Sequence, residues 1–321
     1  MDGLISQTEM ASNNEESIIE RFAKDCELRG FSSESIRSYK GNLEIIAKFL
    51  IENSLSILKL DRQSLKLVLR YLRKERQLYF TTVKVYFSAL SSFYQFLTWE
   101  GLAENNPVFP FRDRYLKQPK YQNDARSRRK LISIKDMAML LSTILNTRDK
   151  AIITLLAKTG IRRGELIDID LEDVDWIEQS IELKVKRKRS NRLVFFDDEC
   201  ARVLKRWLRS RRNYGVKQDC RALFVGEHGK RLRRHGVYRA VTKHAEKTGF
   251  HQPESDRIED HFTPHCCRHW FTTHLRRNGI QRELLKELRG DSRGEAIDIY
   301  DHIDRKELKR AYLAAVPTLG I

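Results

Sequence analysis

The sequence predicts a mainly α-helical protein of two domains, the second carrying a small β-sheet. Three observations predict it. Apolar residues recur at helical spacing through the first hundred residues, with no convincing strand among them. Residues 106–130 then hold Pro107, Pro110 and Pro119, several basic residues and no periodic apolar face, the composition of a linker. Beyond the linker helical runs resume around Ser180 to Asp197, where Ile181, Leu183 and Val185 alternate with polar residues, as do Leu193 and Phe195.

Taken in order, residues 1–14 are polar and predict a disordered terminus. Residues 15–105 predict a helical bundle. Ser32 or Ser33 caps a run holding Ile36, Leu43, Ile46, Ala47 and Leu50. A second run follows Asp61 with Leu65, Val68, Leu69 and Leu72, and a third extends from Thr81 to Trp99. The linker ends in Arg128, Arg129 and Lys130, and residues 131–321 form the second domain. There, Ser133 opens a helix, and another carrying Ile152 to Ala157 stops at Thr159-Gly160. The alternating stretch reads as a hairpin with a very basic tip. Helices are expected over 199–212 and 236–248, and again after His265.

The formal net charge is +17, with charged residues making up 33% of the chain. A surplus of that size predicts a polyanionic partner, because Lys and Arg that neutralise phosphates release condensed counterions. The groups that would track a phosphate backbone are Arg70, Arg73, Lys74 and Arg76 on one helix, Arg128 to Lys130 in the linker, and Arg231, Arg233 and Arg234 before a later helix. Each of them taken singly also fits an ordinary solvated face. Five cysteines without a CxxC pair predict reduced thiols in a cytoplasm rather than a disulfide framework. Neither a signal peptide nor a membrane span is expected, and there is no GxxxxGK[ST] loop for nucleotide hydrolysis.

Chemistry is concentrated late in the chain. His265 and Arg268 fall on one face if Pro264 starts a helix. Arg162 follows a helix end and can join them. Two guanidiniums fork onto the non-bridging oxygens of a phosphate and bind harder as charge grows in the transition state. Lys188 or Lys186 at the hairpin tip can protonate a leaving oxygen, and Tyr300 can attack phosphorus. The cluster His265-Cys266-Cys267-Arg268-His269 raises the question of a metal. Its neighbours on a helix point in different directions and no second cluster completes a tetrahedron, so no metal is expected.

Three stretches make the sequence resemble the tyrosine recombinases, the phage-integrase and Xer family, and most of all their archaeal or viral integrase-like members. They are TGIRRGEL (159–166) with Arg162, TPHCCRHWFTTHL (263–275) with His265 and Arg268, and AIDIYDHI (296–303) with Tyr300. The resemblance runs from about residue 15 to 315. It implies a SAM-like helical core-binding domain and an α+β catalytic domain that together clamp a duplex. It also implies cleavage and rejoining of double-stranded DNA through a 3′-phosphotyrosyl link, without ATP or metal, by a tetramer on DNA, with accessory DNA-bending factors in some members. The enzyme would integrate or excise a mobile element, or act as an Xer-like chromosome or plasmid dimer resolvase; a catalytically inactive DNA-binding protein of the same fold is the rival of another class. Such an enzyme would sit in the cytoplasm with the nucleoid. The sequence departs from the family in two places. Asp291 stands nine residues before Tyr300, where the family usually has a histidine: it either orients Arg268, accepts the tyrosine's proton, or merely caps a turn. The lysine is not in the usual G-K-G turn; Lys188 sits nearest the turn and Lys186 fits the usual spacing.

Overall fold

In the computed structural model the described residues are 2–117, 129–184, 193–255, 257–291 and 303–321. The chain divides into two units, Met1–Asn123 and Asp124–Ile321. No described helix is long and apolar enough to cross a membrane.

The first unit contains α1 (Asp2–Leu28), α2 (Ser33–Glu52), α3 (Arg62–Arg70), α4 (Phe80–Trp99) and α5 (Val108–Tyr115), with a π-helical turn over Tyr71–Glu75 continuing α3. Local chemistry sets the starts. Ser32 accepts the Ser35 amide at 3.1 Å. Asp61 accepts the Ser64 amide, and the Ser64 hydroxyl accepts the Asp61 amide, both at 2.8 Å, so two donors without helical partners are satisfied at once. α4 is the central element: Val83, Phe87, Leu90, Phe93 and Leu97 have no exposed surface. Phe93 meets Phe22 of α1 edge-on at 5.4 Å, and Phe87 stacks on Phe111 of α5 at 5.4 Å. Burying each such ring stabilises the unit by roughly 1.5–3 kcal/mol. The Tyr94 hydroxyl accepts the Leu60 amide at 2.7 Å and donates to the Ile57 carbonyl at 3.0 Å, which ties down the α2–α3 connection.

Two expectations for this unit are corrected. The chain is helical from Asp2, not disordered to residue 14. Ile18, Ile19 and Phe22 anchor the later turns in the core, and a helix once anchored extends at one hydrogen bond per residue fixed. The predicted linker also begins too early, because α5 lies inside it with Val108 and Phe111 buried. Pro107 precedes the first helical residue and Pro110 is the third. Neither position needs an amide donor, so proline does not block this helix.

The second unit is built on α7 (Thr147–Thr159). Ala151 to Ile153 and Leu155 to Ala157 have no exposed surface. Around it pack α6 (Ile134–Ser142), the short α8 (Arg163–Leu166), α9 (Asp198–Arg211), α10 (Arg234–Lys247) and α11 (Pro264–Arg277). Ser133 opens α6 as expected, accepting the Asp136 amide at 3.1 Å. A three-stranded antiparallel sheet has the order β1 (Val174–Asp175), β2 (Ser180–Glu182), β3 (Leu193–Phe195). Ile181 faces Val174 on one side and Val194 on the other. The predicted hairpin is therefore present with shorter strands, and β1 adds an edge too brief to show alternation. The tip, with Lys186 and Lys188, lies outside the described residues.

α12 (Arg282–Arg289) and α13 (Arg305–Ala315) close a second apolar cluster with Phe271, Leu275, Leu288 and Tyr312. The segment after α13 returns to α7. Lys158 has no exposed surface and donates to Asp197 (2.5 Å), Glu199 (2.6 Å) and the Pro317 carbonyl (2.6 Å). Glu199 in turn accepts the amides of Leu319 at 2.8 Å and Gly320 at 2.5 Å. Burial raises the Glu199 carboxyl, but the Lys158 hydrogen bond and these amides outweigh it and hold the group below the usual carboxylate range. Leu319 enters the main core.

Candidate active site

α7 ends at Gly160, which adopts a left-handed conformation (φ 61°) and donates its amide to the Leu156 carbonyl at 3.0 Å. Two residues later Arg162 precedes α8. Glu165, buried, accepts the Arg162 backbone amide at 2.6 Å and its Nη1 at 3.0 Å, so one carboxylate fixes both the backbone and the side chain of Arg162. The sequence expectation that Arg162 stands at a helix end is met. Glu165 was not foreseen, although a glutamate three residues after a helix-capping position is a recognisable signal.

Gly160 is needed for space as well as conformation. A Cβ there would lie 2.4 Å from Cδ1 of Phe271 on α11. Gly160→Ala should cost about 1–2 kcal/mol from the left-handed backbone alone, plus the displacement of Phe271. A thermal melt should fall by more than the backbone strain alone accounts for, because Arg268 also donates to the Gly160 carbonyl.

α11 supplies the second pair. Thr263 precedes the helix and Pro264 occupies its first position, as the sequence predicts. His265 and Arg268 follow one turn apart. Arg268 is only 5% exposed. Its Nη1 donates to the Gly160 carbonyl at 2.7 Å, and its Nη2 donates to the Arg289 carbonyl and to Asp291 Oδ1, each at 2.9 Å. Gly290, left-handed at φ 59°, ends α12 and turns the chain so that Asp291 reaches the site. Asp291 Oδ1 also pairs with Arg162 Nη2 at 3.5 Å, and Oδ2 pairs with Arg289 Nε at 3.1 Å. One carboxylate thus lies among three guanidiniums.

A cavity of about 540 Å³ opens beside them, lined by Arg129, Leu131, His265, Arg268, His269, Thr272 and Arg289. Partial burial, then the charges of Arg129 and Arg268, push His265 down to about 4. Burial, Arg129 and Arg289 also lower His269. Arg268 is pushed down to about 10 by burial and by Arg162 and Arg289, and stays charged at neutral pH. Among the described residues, four guanidiniums (Arg129, Arg162, Arg268, Arg289) gather with two carboxylates (Glu165, Asp291). An anion entering the cavity would relieve that imbalance, and neutral His265 can give or take a proton there.

The remaining sequence candidates divide. Tyr300, Lys186, Lys188 and Arg128 lie outside the described residues. Arg129, expected to contact a backbone, lines the cavity; Lys130 follows it, half-buried. Arg231 is engaged inside the unit: it donates to the Ile167 carbonyl at 2.9 Å and, with Lys184, pairs with Asp170. Arg233 is exposed just before α10, and the Arg234 guanidinium lies against Gly164 of α8. In the first unit Arg70 and Lys74 are exposed. Arg73 lies over the Phe80 ring at 5.7 Å, and Arg76 donates to the Tyr86 hydroxyl at 2.8 Å. Cys266 and Cys267 are buried, and among the described residues no group of three or more His, Cys, Asp or Glu is placed to hold a metal.

Known proteins resemble this chain in sequence and in fold. The phage integrase family model matches residues 130–307, and the family's N-terminal SAM-like domain matches 19–101. Tyrosine recombinase XerD of Oceanobacillus iheyensis is 28% identical over 90% of this chain and 94% of its own length. Tyrosine recombinase XerC of Psychromonas ingrahamii is 29% identical over 90% and 92%. Among solved structures, the Tn1549 transposon integrase in complex with circular intermediate DNA superposes with a TM-score of 0.66 at 19% identity, covering 91% of this chain and 98% of the other. XerH bound to its difH substrate superposes at 0.62 with 20% identity, over 92% and 83%. Matched over more than half its length, the chain belongs to the phage integrase family, the site-specific tyrosine recombinases.

Proposed function

We propose that this recombinase cleaves and rejoins double-stranded DNA through Tyr300 and needs neither metal nor ATP. The observation that carries the reading is the set of converging guanidiniums, Arg162 and Arg268, beside neutral His265 at a cavity with surplus positive charge. The Tyr300 oxygen attacks phosphorus and a P–O bond forms. The bond to the 5′ oxygen breaks, and that oxygen takes a proton from Lys188 or Lys186. The 5′-hydroxyl of another strand then attacks the 3′-phosphotyrosyl link and restores the phenol. One phosphodiester replaces another, so no external energy source enters the balance. Arg162 and Arg268 hold the non-bridging oxygens and bind them harder as charge accumulates on them in the transition state. His265 exchanges the tyrosine proton.

The exposed arginines and lysines of the first unit, with Arg129, Lys130, Arg233 and Arg234, contribute sequence-independent backbone contacts. A homotetramer on DNA in the cytoplasm, at the nucleoid, is the assembly proposed, with integration or excision of a mobile element as its outcome. A nicked duplex carrying a site selected from a random pool by binding tests the chemistry. Wild type should leave a covalent protein–DNA adduct on a denaturing gel in the presence of a metal chelator and without ATP. Tyr300→Phe should bind the same duplex and leave none. An adduct formed by Tyr300→Phe would remove Tyr300 from the mechanism, and loss of the wild-type adduct on chelation would remove the metal-free one.

A further inference from the structure

Arg289 was absent from the sequence-derived site, yet the fold brings it to the same cavity wall as His265 and Arg268. Three features fix it there. Its backbone carbonyl accepts Arg268 Nη2 at 2.9 Å, which clamps the end of α12 to the buried arginine. Gly290 ends the helix immediately after it. Its Nε pairs with Asp291 Oδ2 at 3.1 Å, on the carboxylate whose other oxygen holds Arg268 at 2.9 Å. One planar carboxylate therefore sets two guanidiniums side by side, and the Arg289 side chain keeps one-third of its surface exposed (33%).

We propose that Arg289 is a further catalytic residue, a third guanidinium directed at the non-bridging oxygens of the scissile phosphate, with Asp291 as the residue that positions it beside Arg268. The proposal rests on the phosphoryl-transfer reading above. A purely structural role explains the arrangement less well. Asp291 is already paired with Arg268 and Arg162, so its charge does not call for another cation. Arg268, Arg162 and Arg289 share the Asp291 carboxylate, so three positive charges meet one negative charge in these contacts, and a phosphate on the cavity side of Arg289 would ease their mutual repulsion. The alternative, in which Arg289 only favours the negative end of the α12 dipole, predicts a small effect independent of the charge on the DNA.

The test compares wild type, Arg289→Ala and Arg289→Lys in single-turnover cleavage of two nicked duplexes. One carries an ordinary scissile phosphate. The other carries a methylphosphonate there, in which a methyl group replaces one non-bridging oxygen and removes the negative charge. On the phosphate, Arg289→Ala should cleave about 10²-fold more slowly, the scale of losing one transition-state donor, with duplex affinity nearly unchanged. Arg289→Lys should recover part of the rate, since it keeps the charge and loses the fork. On the methylphosphonate the deficit of Arg289→Ala should shrink to a few-fold. Wild-type cleavage on the phosphate by Arg289→Ala would overturn the proposal. So would an equal deficit on both duplexes, which marks a structural role. If Arg289→Ala melts early, Arg289→Lys gives the same comparison in a folded protein. Wild type and Tyr300→Phe run alongside: an adduct with Tyr300→Phe, or none with wild type, would sink the underlying chemistry, whereas a wild-type adduct with an unaffected Arg289→Ala would sink this inference alone.

Discussion

Arg268→Ala should slow single-turnover cleavage by about 10³-fold or more, with a much smaller loss of DNA affinity. The scale follows from removing a preorganised donor from a site where charge develops on phosphoryl oxygens, worth about 10²–10³-fold by itself, together with the reorganisation it causes. Arg268 has three acceptors: the carbonyls of Gly160 and Arg289, and Asp291. Its loss frees the ends of α7 and α12 from each other. It also leaves Asp291 with fewer cations beside the position proposed for the phosphate, where a carboxylate repels the substrate. Arg268→Lys should be nearly as slow, because one ammonium cannot span two carbonyls and a carboxylate in the plane of a guanidinium. The double variant Arg268→Ala/Asp291→Asn should be faster than Arg268→Ala, since it removes the repelling charge. Quench-flow cleavage of a nicked duplex, with affinity measured separately, gives each number. An Arg268→Ala enzyme within about tenfold of wild type would mean that phosphate contact lies elsewhere.

Lys158→Met should be the most damaging single change to the stability of the second unit, costing about 3–5 kcal/mol, the usual result of removing one partner from a buried ion pair. The ammonium has no exposed surface and meets two carboxylates and a carbonyl. Without it Glu199 remains beneath the returning segment with only backbone amides for partners. Lys158→Met/Glu199→Met should recover a substantial part of the loss, because the stranded charge is gone, although the amides of Leu319 and Gly320 then lose their acceptor. Urea unfolding of the three proteins checks this. The same cluster sets an acid limit. Glu199 is held below its unfolded value, so its contribution is complete above the unfolded carboxylate range and disappears as pH falls through the lower folded value. Lys158→Met should flatten that acid dependence.

Features governed by neighbours a few residues apart were legible in the sequence. Ser32, Asp61, Ser133 and the Thr263-Pro264 pair all open helices, because capping is settled within one turn. Gly160 likewise ends α7 where its residue type predicts. The motifs pointed to Arg162, His265 and Arg268, and the fold places Arg162 and Arg268 on one carboxylate and His265 and Arg268 on one cavity wall. What joins them was legible only in part: orienting Arg268 was one of the roles the sequence offered for Asp291, and the two are in contact at 2.9 Å, but its pairing with Arg162, 129 residues away, and with Arg289 shows only in the fold. Arg289 escaped notice because an arginine in the last turn of a helix is ordinary until its neighbours are known. α5 was not legible because proline blocks a helix only where an amide donor is needed, and Pro107 and Pro110 stand where none is. The helix over Asp2 to Asn14 was not legible because local composition carries no information about an anchor further along the chain.

The link between Lys158 and the segment after α13 also imposes an order on the protein's birth. A ribosome delivers the chain from its N-terminus, and among the described residues the core of the first unit is drawn from residues 18 to 116, so that unit can fold while the rest is still being made. The second unit cannot finish: α7, which leads directly into Arg162, keeps a buried charge waiting for a carbonyl 159 positions downstream. A nascent chain can therefore have a folded first unit well before it has a completed cutting site, and a truncated product of interrupted translation would be left with the former and not the latter.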